Sequence, residues 1–418
     1  MSALNKIFNC MILIYVIMFP LLPVNLKIKG FSLGDFIFFI IVLFYLLLII
    51  SKKQSRGRFI KGIRDFFNDY LSLPMFLLLV LMLSSISYAK EKTLAFSESL
   101  RFLYYIILYF IIKYETRSRS IFNSILKVYI AVSSIISAFG IVQYFTKIGL
   151  DEKFIYDPKK YSVPVRITST LDNPNTLGAF LILVIFPTIM LAIYAEKKSN
   201  KLIYSVASIL MFINIGLSFS RSAWLALALG AFLLIVLYNW KAILLPILGV
   251  VLALIVPAIR NRLGDFSIIF QDPRISTWKI AIKMIKDHPI LGVGNGNYVS
   301  LYGEYVSRFP ELMYNHNTRF PSHNSYLKVQ SELGILGTML FIIILIAIFI
   351  KLKKFLYIEK ELQHKIFFKG FFISAIVFLF MNIFDNLFFV PKVSMYFWIL
   401  VAIFEGIIYN SNCQNSAY

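Results

Sequence analysis

The chain has 418 residues, of which 59% are hydrophobic and only 15% are charged, and its formal net charge is +21. Soluble domains carry roughly 25% charged residues, so this composition excludes an ordinary soluble protein. The apolar residues stand in long blocks, and a block of about 18 residues can cross a bilayer as a helix. The excess of Lys and Arg is typical of loops that face anionic lipid. We therefore expect a bilayer partner and no nucleic acid.

Twelve apolar segments predict an all-α polytopic membrane protein with about twelve transmembrane helices. The first segment lacks a clear small-residue cleavage site, so we interpret it as an uncleaved span rather than a signal peptide. The predicted spans are 7–22, 33–50, 73–87, 94–112, 121–145, 177–194, 202–217, 223–238, 243–259, 333–350, 367–389 and 393–409.

Short basic loops predict the orientation, because Lys and Arg accumulate on the cytoplasmic side of a membrane. With twelve spans, the clusters after spans two, four, six and ten all fall on one side. Both termini are then cytoplasmic in a multi-pass protein of the plasma membrane. We expect one integrated membrane domain: spans one to nine in 1–259, an extracytoplasmic loop subdomain in 260–332, and spans ten to twelve in 333–418.

The outer loop is the longest stretch in which polar, titratable and cationic groups gather, and a predicted amphipathic helix begins in it after Asp272-Pro273. Apolar residues recur at three and four positions along this helix and predict one stripe, while lysines form another face. Such a helix is typical of a membrane interface, with its basic side toward phosphates; the alternative is a solvated lysine face on a packed helix. The stripe is Ile275, Trp278, Ile282 and Ile285, and the basic face is Lys279, Lys283 and Lys286.

A glycine-rich turn with Gly292, Gly294 and Gly296 follows the helix. These glycines could let backbone N–H groups approach an anion. However, the spacing is not the dinucleotide fingerprint, and no strand precedes it. We favour the simpler interpretation that the glycines supply positive φ angles in a tight turn.

His323 is the candidate catalytic residue, because a neutral imidazole beside the membrane can accept a proton from a hydroxyl near neutral pH. The alternative is a structural histidine. A zinc site with His288 and His316 is less favoured, because the spacing matches no metal template. Glu332 lies nine residues on, at the opposite face of a continuous helix, so we do not expect it to orient His323.

Arg221 stands at the expected outer end of the eighth span. A guanidinium at bilayer depth costs at least about 2.5–3.5 kcal/mol, so it should face a polar cavity or partner. Its forked donors suit a diphosphate, and Arg274 in the loop could supply a second fork. The alternative for Arg221 is snorkelling to lipid headgroups.

Three further polar features allow other interpretations. The run 172–175, Asp-Asn-Pro-Asn, is typical of a helix N-cap with Pro in the first turn, and it could also form a polar lip. Asp385 and Glu405 lie in the last two predicted spans, where a carboxylate can relay protons in a transporter.

These residues carry a resemblance to the O-antigen ligase and polymerase superfamily of polyprenyl-diphosphate glycan transferases. The ligase-like signature is His323-Asn324, a nine-residue gap, and Gly334-x-x-Gly337-Thr338. Phe341 stands where that signature often has a tyrosine. Two further blocks are similar to those of the family: Arg274, Trp278, Pro289, Gly292 and Gly294 in the outer loop, and Ser220-Arg221-Ser222 with Leu225 in a span.

The resemblance implies a GT-C-type fold and metal-independent chemistry with no cofactor. The donor would be a glycan on undecaprenyl diphosphate, whose anomeric carbon an acceptor hydroxyl attacks with inversion. His323 would be the base, and Arg221 and Arg274 would bind the diphosphate. The possible supporting residues are Asn324, Lys279, Lys283, Trp278, Gly334 and Gly337.

The signature favours a ligase that attaches glycan to lipopolysaccharide. A polymerase of O-antigen, capsule or teichuronic type is the alternative within the superfamily. From another functional class, a multi-pass transporter or a flippase for lipid-linked oligosaccharide stays open. Sparse intramembrane charge and the lack of a visible inverted repeat count against this last alternative.

Overall fold

A computed structural model describes residues 3–23, 27–28, 31–116, 118–156, 165–238, 273–314 and 316–415, with isolated positions between 240 and 260. The helices are α1 (Ala3–Leu21), α2 (Leu33–Ser51), α3 (Lys53–Asn68), α4 (Ser72–Ser84), α5 (Lys92–Phe110), α6 (Arg119–Thr146), α7 (Pro174–Tyr194), α8 (Lys198–Leu217), α9 (Arg221–Leu237), α10 (Pro273–Asp287), α11 (Tyr298–Arg308), α12 (Ser325–Ile358), α13 (Leu362–Met381) and α14 (Pro391–Asn415).

Short elements connect some of these helices. A π-helical turn, Ile111–Glu115, continues α5, and two strands of two residues each, β1 (Lys27–Ile28) and β2 (Phe31–Ser32), pair antiparallel before α2. The 3-10 turns are Ser85–Ser87, Glu152–Phe154, Pro310–Leu312 and Leu387–Phe389.

Nine helices of the described chain are long and apolar enough to cross a membrane, which confirms a polytopic helical membrane protein. The third predicted span corresponds to α4, which joins α3 at a bend of 81°. The eighth corresponds to α9, a shorter apolar helix. The ninth, 243–259, lies outside the described residues. The count of twelve spans and the GT-C-type fold therefore stay predictions.

Helix α7 forms the centre of the bundle, and nearly all of its residues are buried. It packs against α8, α9 and α13. Gly370 of α13 allows this approach, because a side chain there would overlap the backbone of Pro187 in α7. Helix α14 is similarly enclosed. A helix that is apolar all round belongs in such a core.

The basic segment after the second span is the helix α3, whereas we expected a loop there. Arg58 of α3 is buried and forms an ion pair with Glu115. Because this pairing neutralises the guanidinium, a basic segment can fold back onto the bundle. Sequence pattern alone does not distinguish this helix from a solvated basic loop.

Charged side chains from the π-helical turn after α5, from the residue after α3, and from α12 and α14 meet at one end of the bundle, here named the Glu405 end. Glu405 lies 3.0 Å from Lys113 Nζ and 2.7 Å from Lys351 Nζ. Asp69 binds the same two ammonium groups. Lys113 and Lys351, from two of the predicted basic clusters, thus lie at one end of the bundle. The side of the membrane that this end faces stays a prediction.

The outer-loop helices α10 and α11 enclose a small hydrophobic core of their own. This unit packs on the turn between α4 and α5: Asn295 N donates to Ser85 Oγ at 3.0 Å, and Tyr88 OH donates to the carbonyl of Leu291 at 2.7 Å. Helix α12 begins at Ser325, before the predicted span boundary at 333. The domain division at 259 and 333 stays a prediction.

Candidate active site

His323 lies immediately before α12, at the end of the bundle opposite Glu405, here named the His323 end. Its backbone φ is 49°, an unusual left-handed conformation for a non-glycine residue. Asn324 explains the abrupt start of the helix, because its side chain caps α12 by accepting from Tyr326 N and Leu327 N at 3.0 Å. The His323 ring packs near Phe320, and its side chain stays 25% exposed.

Asp385 is the side-chain partner of His323. Its Oδ1 lies 3.3 Å from His323 Nδ1 and accepts from its neighbour's backbone N–H at 2.9 Å. The carboxylate is only 16% exposed. Burial opposes its ionisation, but the hydrogen bond and charge of His323 and the charge of Arg274 together hold the pKa of Asp385 below its ordinary value. The carboxylate is therefore ionised at neutral pH.

Arg166 joins this site through Asn175, and sequence analysis missed it. Asn175 Nδ2 donates to Asp385 Oδ2 at 3.1 Å, while Asn175 Oδ1 accepts from Arg166 Nη2 at 3.2 Å. Arg166 Nε also donates to the carbonyl of Ser218, three residues before Arg221. The network thus extends from His323 to the start of α9. A basic residue in a loop gives no sequence signal for such a role.

The segment that carries Arg166 is held firmly in place. Gln143 of α6 accepts from the backbone N–H groups of Thr168 and Ser169 at 2.9 and 2.7 Å. Ser169 and Phe219 have positive φ angles, as His323 does. Strained backbone of this kind persists where surrounding contacts determine it, and it concentrates at functional sites.

The two predicted arginines both lie at the His323 end. Arg274 stands in the first turn of α10 and acts electrostatically on Asp385. The Thr277 hydroxyl bonds the carbonyls of Arg274 and Ser322 at 2.9 and 3.0 Å, which ties α10 to the residue before His323. Arg221 is the first residue of α9 and is half-buried.

The predicted supporting residues have mainly structural contacts. Trp278 Nε1 donates to the carbonyl of His323 at 3.4 Å, and Lys283 lies 4.2 Å from the centre of the Phe309 ring. Lys279 is exposed. Asn324 is the N-cap described above.

Gly334 and Gly337 both accommodate close packing. Gly334 has φ 61° and kinks α12, and a side chain there would overlap the Ile290 carbonyl. A side chain at Gly337 would overlap that of Leu333. Packing therefore accounts for both glycines.

The apolar stripe predicted on α10 is not the face that packs into the loop core. The core face consists of Thr277, Ile280, Ala281 and Met284, all fully buried, whereas Ile282 is 44% exposed. The periodicity correctly predicted a helix, from Pro273 to Asp287. It missed the packed face because Thr277, Ala281 and Met284 join Ile280 there, whereas the predicted stripe counted Ile282 as a core residue.

The glycine turn adopts positive φ angles of 68°, 99° and 71° at Gly292, Gly294 and Gly296, as expected. Its N–H groups do approach an anion, but the anion belongs to the chain itself. Glu332 accepts from Gly296 N at 2.8 Å and from Tyr298 N at 3.2 Å, and Lys328 Nζ lies 2.7 Å from both of its carboxylate oxygens. Glu332 thus holds the turn and does not orient His323, as expected.

Asn173 caps α7, and Pro174 occupies the first turn, as expected. Asn175 contacts both Arg166 and Asp385, and the polar lip stays a prediction. Within the part of the chain that the structure describes, no three His, Cys, Asp or Glu side chains come together as metal ligands. The zinc alternative therefore has no ligand set in those residues.

Part of this site lies in a segment that matches a known protein family. Residues 206–342, from α8 into α12, match the family described as O-Antigen ligase. The chain carries a domain of the O-antigen ligase family. The matched segment includes Arg221, Arg274 and His323, whereas Arg166, Asn175 and Asp385 lie outside it. No curated protein matches the chain in a sequence search. An O-antigen ligase or polymerase type of membrane enzyme follows from the match.

Proposed function

We propose that this member of the O-antigen ligase family transfers a glycan from undecaprenyl diphosphate to an acceptor hydroxyl at the His323 end. The observation that carries the proposal is the contact of His323 with the ionised Asp385, which lies within the influence of Arg274 and is bonded to Arg166 through Asn175. A base next to several cations suits a reaction that removes a proton and releases a diphosphate.

His323 would act as the general base. An ionised carboxylate can only accept hydrogen bonds, so His323 Nδ1 must carry the proton that faces Asp385. The tautomer then has its lone pair on Nε2, which can take the proton of the acceptor hydroxyl. Asp385 would also stabilise the imidazolium that forms. Asp385 is thus a positioning residue that acts through His323.

The arginines would receive the leaving group. The acceptor oxygen forms a bond to the anomeric carbon as the bond from that carbon to the diphosphate oxygen breaks, with inversion. The electron pair leaves with the diphosphate, and the hydroxyl proton stays on His323. Arg221 and Arg274 would neutralise the departing charge, and Arg166 is a third guanidinium beside them. This chemistry uses no metal or cofactor.

We place the His323 end on the extracytoplasmic side of the plasma membrane. Support comes from the Glu405 end, which holds Lys113, Lys351 and the basic helix α3, because Lys- and Arg-rich segments accumulate in the cytoplasm. Both termini would then be cytoplasmic. The lysines of α10 and the exposed Ile282 would meet the membrane interface near a lipid-linked donor.

The ligase-like signature supports transfer to lipopolysaccharide, and a surface-polysaccharide polymerase with a second lipid-linked glycan as acceptor is the alternative. For the transporter alternative, Asp385 and Glu405 were the two candidate proton relays. Glu405 is bound by Lys113 and Lys351, so ion pairing between helices accounts for its presence in a span.

The test is a set of purified full-length variants with lipid-linked donor and acceptor. His323→Ala should lower the transfer rate by about 10²–10⁴-fold, the range that a general base contributes. Donor binding and membrane insertion should be retained. His288→Ala is the matched control, because His288 is exposed outside the site, and it should transfer normally. Full activity of His323→Ala would remove the proposed mechanism.

A second pair of variants tests the diphosphate contact. Arg221→Ala should weaken donor affinity more than Arg221→Lys, because lysine keeps the charge and loses the fork. Equal loss in both variants would argue against bidentate binding.

A further inference from the structure

A cavity opens at the His323 end between α1, α2, α5 and α14, with a volume of about 290 Å³. One part of its wall is apolar and includes Phe19, Leu100 and Met395, while Arg101 and Lys392 bring two cations into it. The volume lies near the lower limit for ligand pockets, which suits a headgroup rather than a whole glycolipid.

Arg101 is the unusual residue of this cavity. It lies inside a membrane-spanning helix, where a guanidinium is costly and is normally found facing a polar pathway or a partner. Its one ion pair among the described residues is with Glu98, at 3.2 Å, and its side chain remains 38% exposed. A guanidinium has five donors in a fork, so further donors are available to an anion.

Lys392 brings a second, buried cation from the start of α14. It is only 5% exposed, and its Nζ donates to the carbonyl of Thr170 at 2.6 Å. Asp35 also lines the cavity, but its carboxylate is used in capping α2 through Ser32 N and Ser32 Oγ at 3.0 and 2.7 Å. Arg101 and Lys392 together outweigh the one carboxylate, so the residues that line the cavity carry a net charge of +1.

An apolar cleft of about 40 Å³ lies on the other side of Arg101, between α4, α5, α12 and α14. Arg101 and Tyr105 line both spaces, and Leu78, Phe341 and Trp398 are among the apolar residues of the cleft. This cleft is too small for a hydrocarbon chain, since one water molecule already takes up about 30 Å³ of liquid. The larger cavity places a cationic fork beside an apolar wall between membrane-spanning helices, which matches an amphiphile whose anionic group lies next to its hydrocarbon chain.

The cavity is also close to the candidate active site along the chain. Thr170 accepts from Lys392 on the cavity side, and Asn175, five residues on, binds Asp385 at the His323 site. The segment between them separates the two spaces. A headgroup in the cavity therefore lies one short segment of chain away from the His323 site.

We propose that this cavity binds the phosphate-bearing headgroup of the acceptor lipid, with Arg101 and Lys392 on the phosphate and the hydrocarbon chain along the apolar wall that includes Phe19, Leu100 and Met395. This assignment of the acceptor class rests on the proposed transfer function. It selects a phosphorylated lipid rather than a soluble sugar or a protein.

The binding experiment uses full-length protein in detergent micelles and calorimetry with dioctanoyl phosphatidic acid as the probe. Dioctanoylglycerol, which lacks the phosphate, is the control ligand. Wild type and His323→Ala should both bind the phosphate-bearing probe at least about tenfold more tightly than the control, since charged hydrogen bonds contribute on that scale. Arg101→Gln should lose most of this difference, and Arg101→Lys should keep part of it.

Arg119→Gln is the matched control, because Arg119 pairs with Glu359 at the Glu405 end, and it should bind like wild type. Equal preference for the phosphate in Arg101→Gln and wild type would overturn the proposal. Displacement of the probe by inorganic phosphate at the same concentration would also overturn it, because the site would then recognise free phosphate rather than a lipid.

A kinetic arm separates this proposal from the proposed function. With a phosphorylated lipid acceptor, Arg101→Gln should raise the acceptor KM about tenfold and leave the donor KM within about twofold. A change in the donor KM instead would overturn the acceptor assignment. Phosphate-dependent binding without glycan transfer by any variant would support the lipid site and contradict the transferase function.

Discussion

The two ends of the helix bundle differ in whether their charged groups are buried or partly exposed. At the Glu405 end, Lys113, Lys351 and Glu405 are buried, and together with Asp69 they bind one another. At the His323 end, the imidazole and its carboxylate partner remain partly open. Charges that neutralise one another hold helices together, whereas a partly open set remains able to meet a ligand. The first end should therefore govern stability and the second activity.

The largest expected effect is on stability at the Glu405 end. Glu405→Ala leaves the ammonium groups of Lys113 and Lys351 with too little negative charge, and breaking a buried charge pair costs about 3–5 kcal/mol. The thermal unfolding midpoint of the purified protein in micelles should fall clearly. Glu196→Ala, an exposed site on the loop before α8, should change stability by less than about 0.5 kcal/mol. An unchanged unfolding midpoint in Glu405→Ala would contradict the conclusion that the Glu405 end governs stability.

The next effect is on activity at the His323 end. Asp385→Asn removes the charge that holds Nδ1 protonated, so the transfer rate should fall about 10–100-fold, or ~1.4–2.7 kcal/mol in activation free energy. The unfolding midpoint should fall less than in Glu405→Ala, because only the contribution of the ionised Asp385 is lost. The pH profile of kcat/KM should also shift, which a purely structural defect would not cause. Partial rescue by Asp385→Glu is expected. A large loss of stability with an unchanged profile would contradict the positioning role.

The smallest effect is on the pH dependence of stability. The pKa of Asp385 lies below its ordinary value because His323 and Arg274 favour the charged form despite burial. A depressed folded-state pKa stabilises the protein fully above the unfolded value near 4, and this contribution disappears as pH falls through the folded value. Wild type should therefore lose thermal stability below about pH 4 more steeply than Asp385→Asn. Parallel curves would show that Asp385 is not coupled to folding.

Much of the membrane architecture follows from the sequence, because a long apolar block without charge has few alternatives to a spanning helix. The bent pair α3 and α4 did not follow from it. There the burial of Arg58 depends on Glu115, which lies 57 positions away in the chain. Hydropathy describes each segment by itself and contains no information on such a partner.

The candidate site shows the same limit. His323 and Arg274 could be selected because their residue types and loop position suit the chemistry. Asp385 was noted for a different function, and its contact with His323 spans 62 positions. The link from Asn175 to Asp385 spans 210 positions. Periodicity predicts which face of a helix a residue occupies, but only the packed bundle shows what that face meets.

The occupied glycine turn has a consequence for how this site could change. Its main-chain donors already hold Glu332, so they offer nothing to an incoming phosphate group. If the proposed function is correct, recognition of the leaving group depends on arginine side chains, each encoded by a single codon. Recognition of the leaving phosphate group can then change by exchange of one residue at a time, without a change in the backbone of the loop.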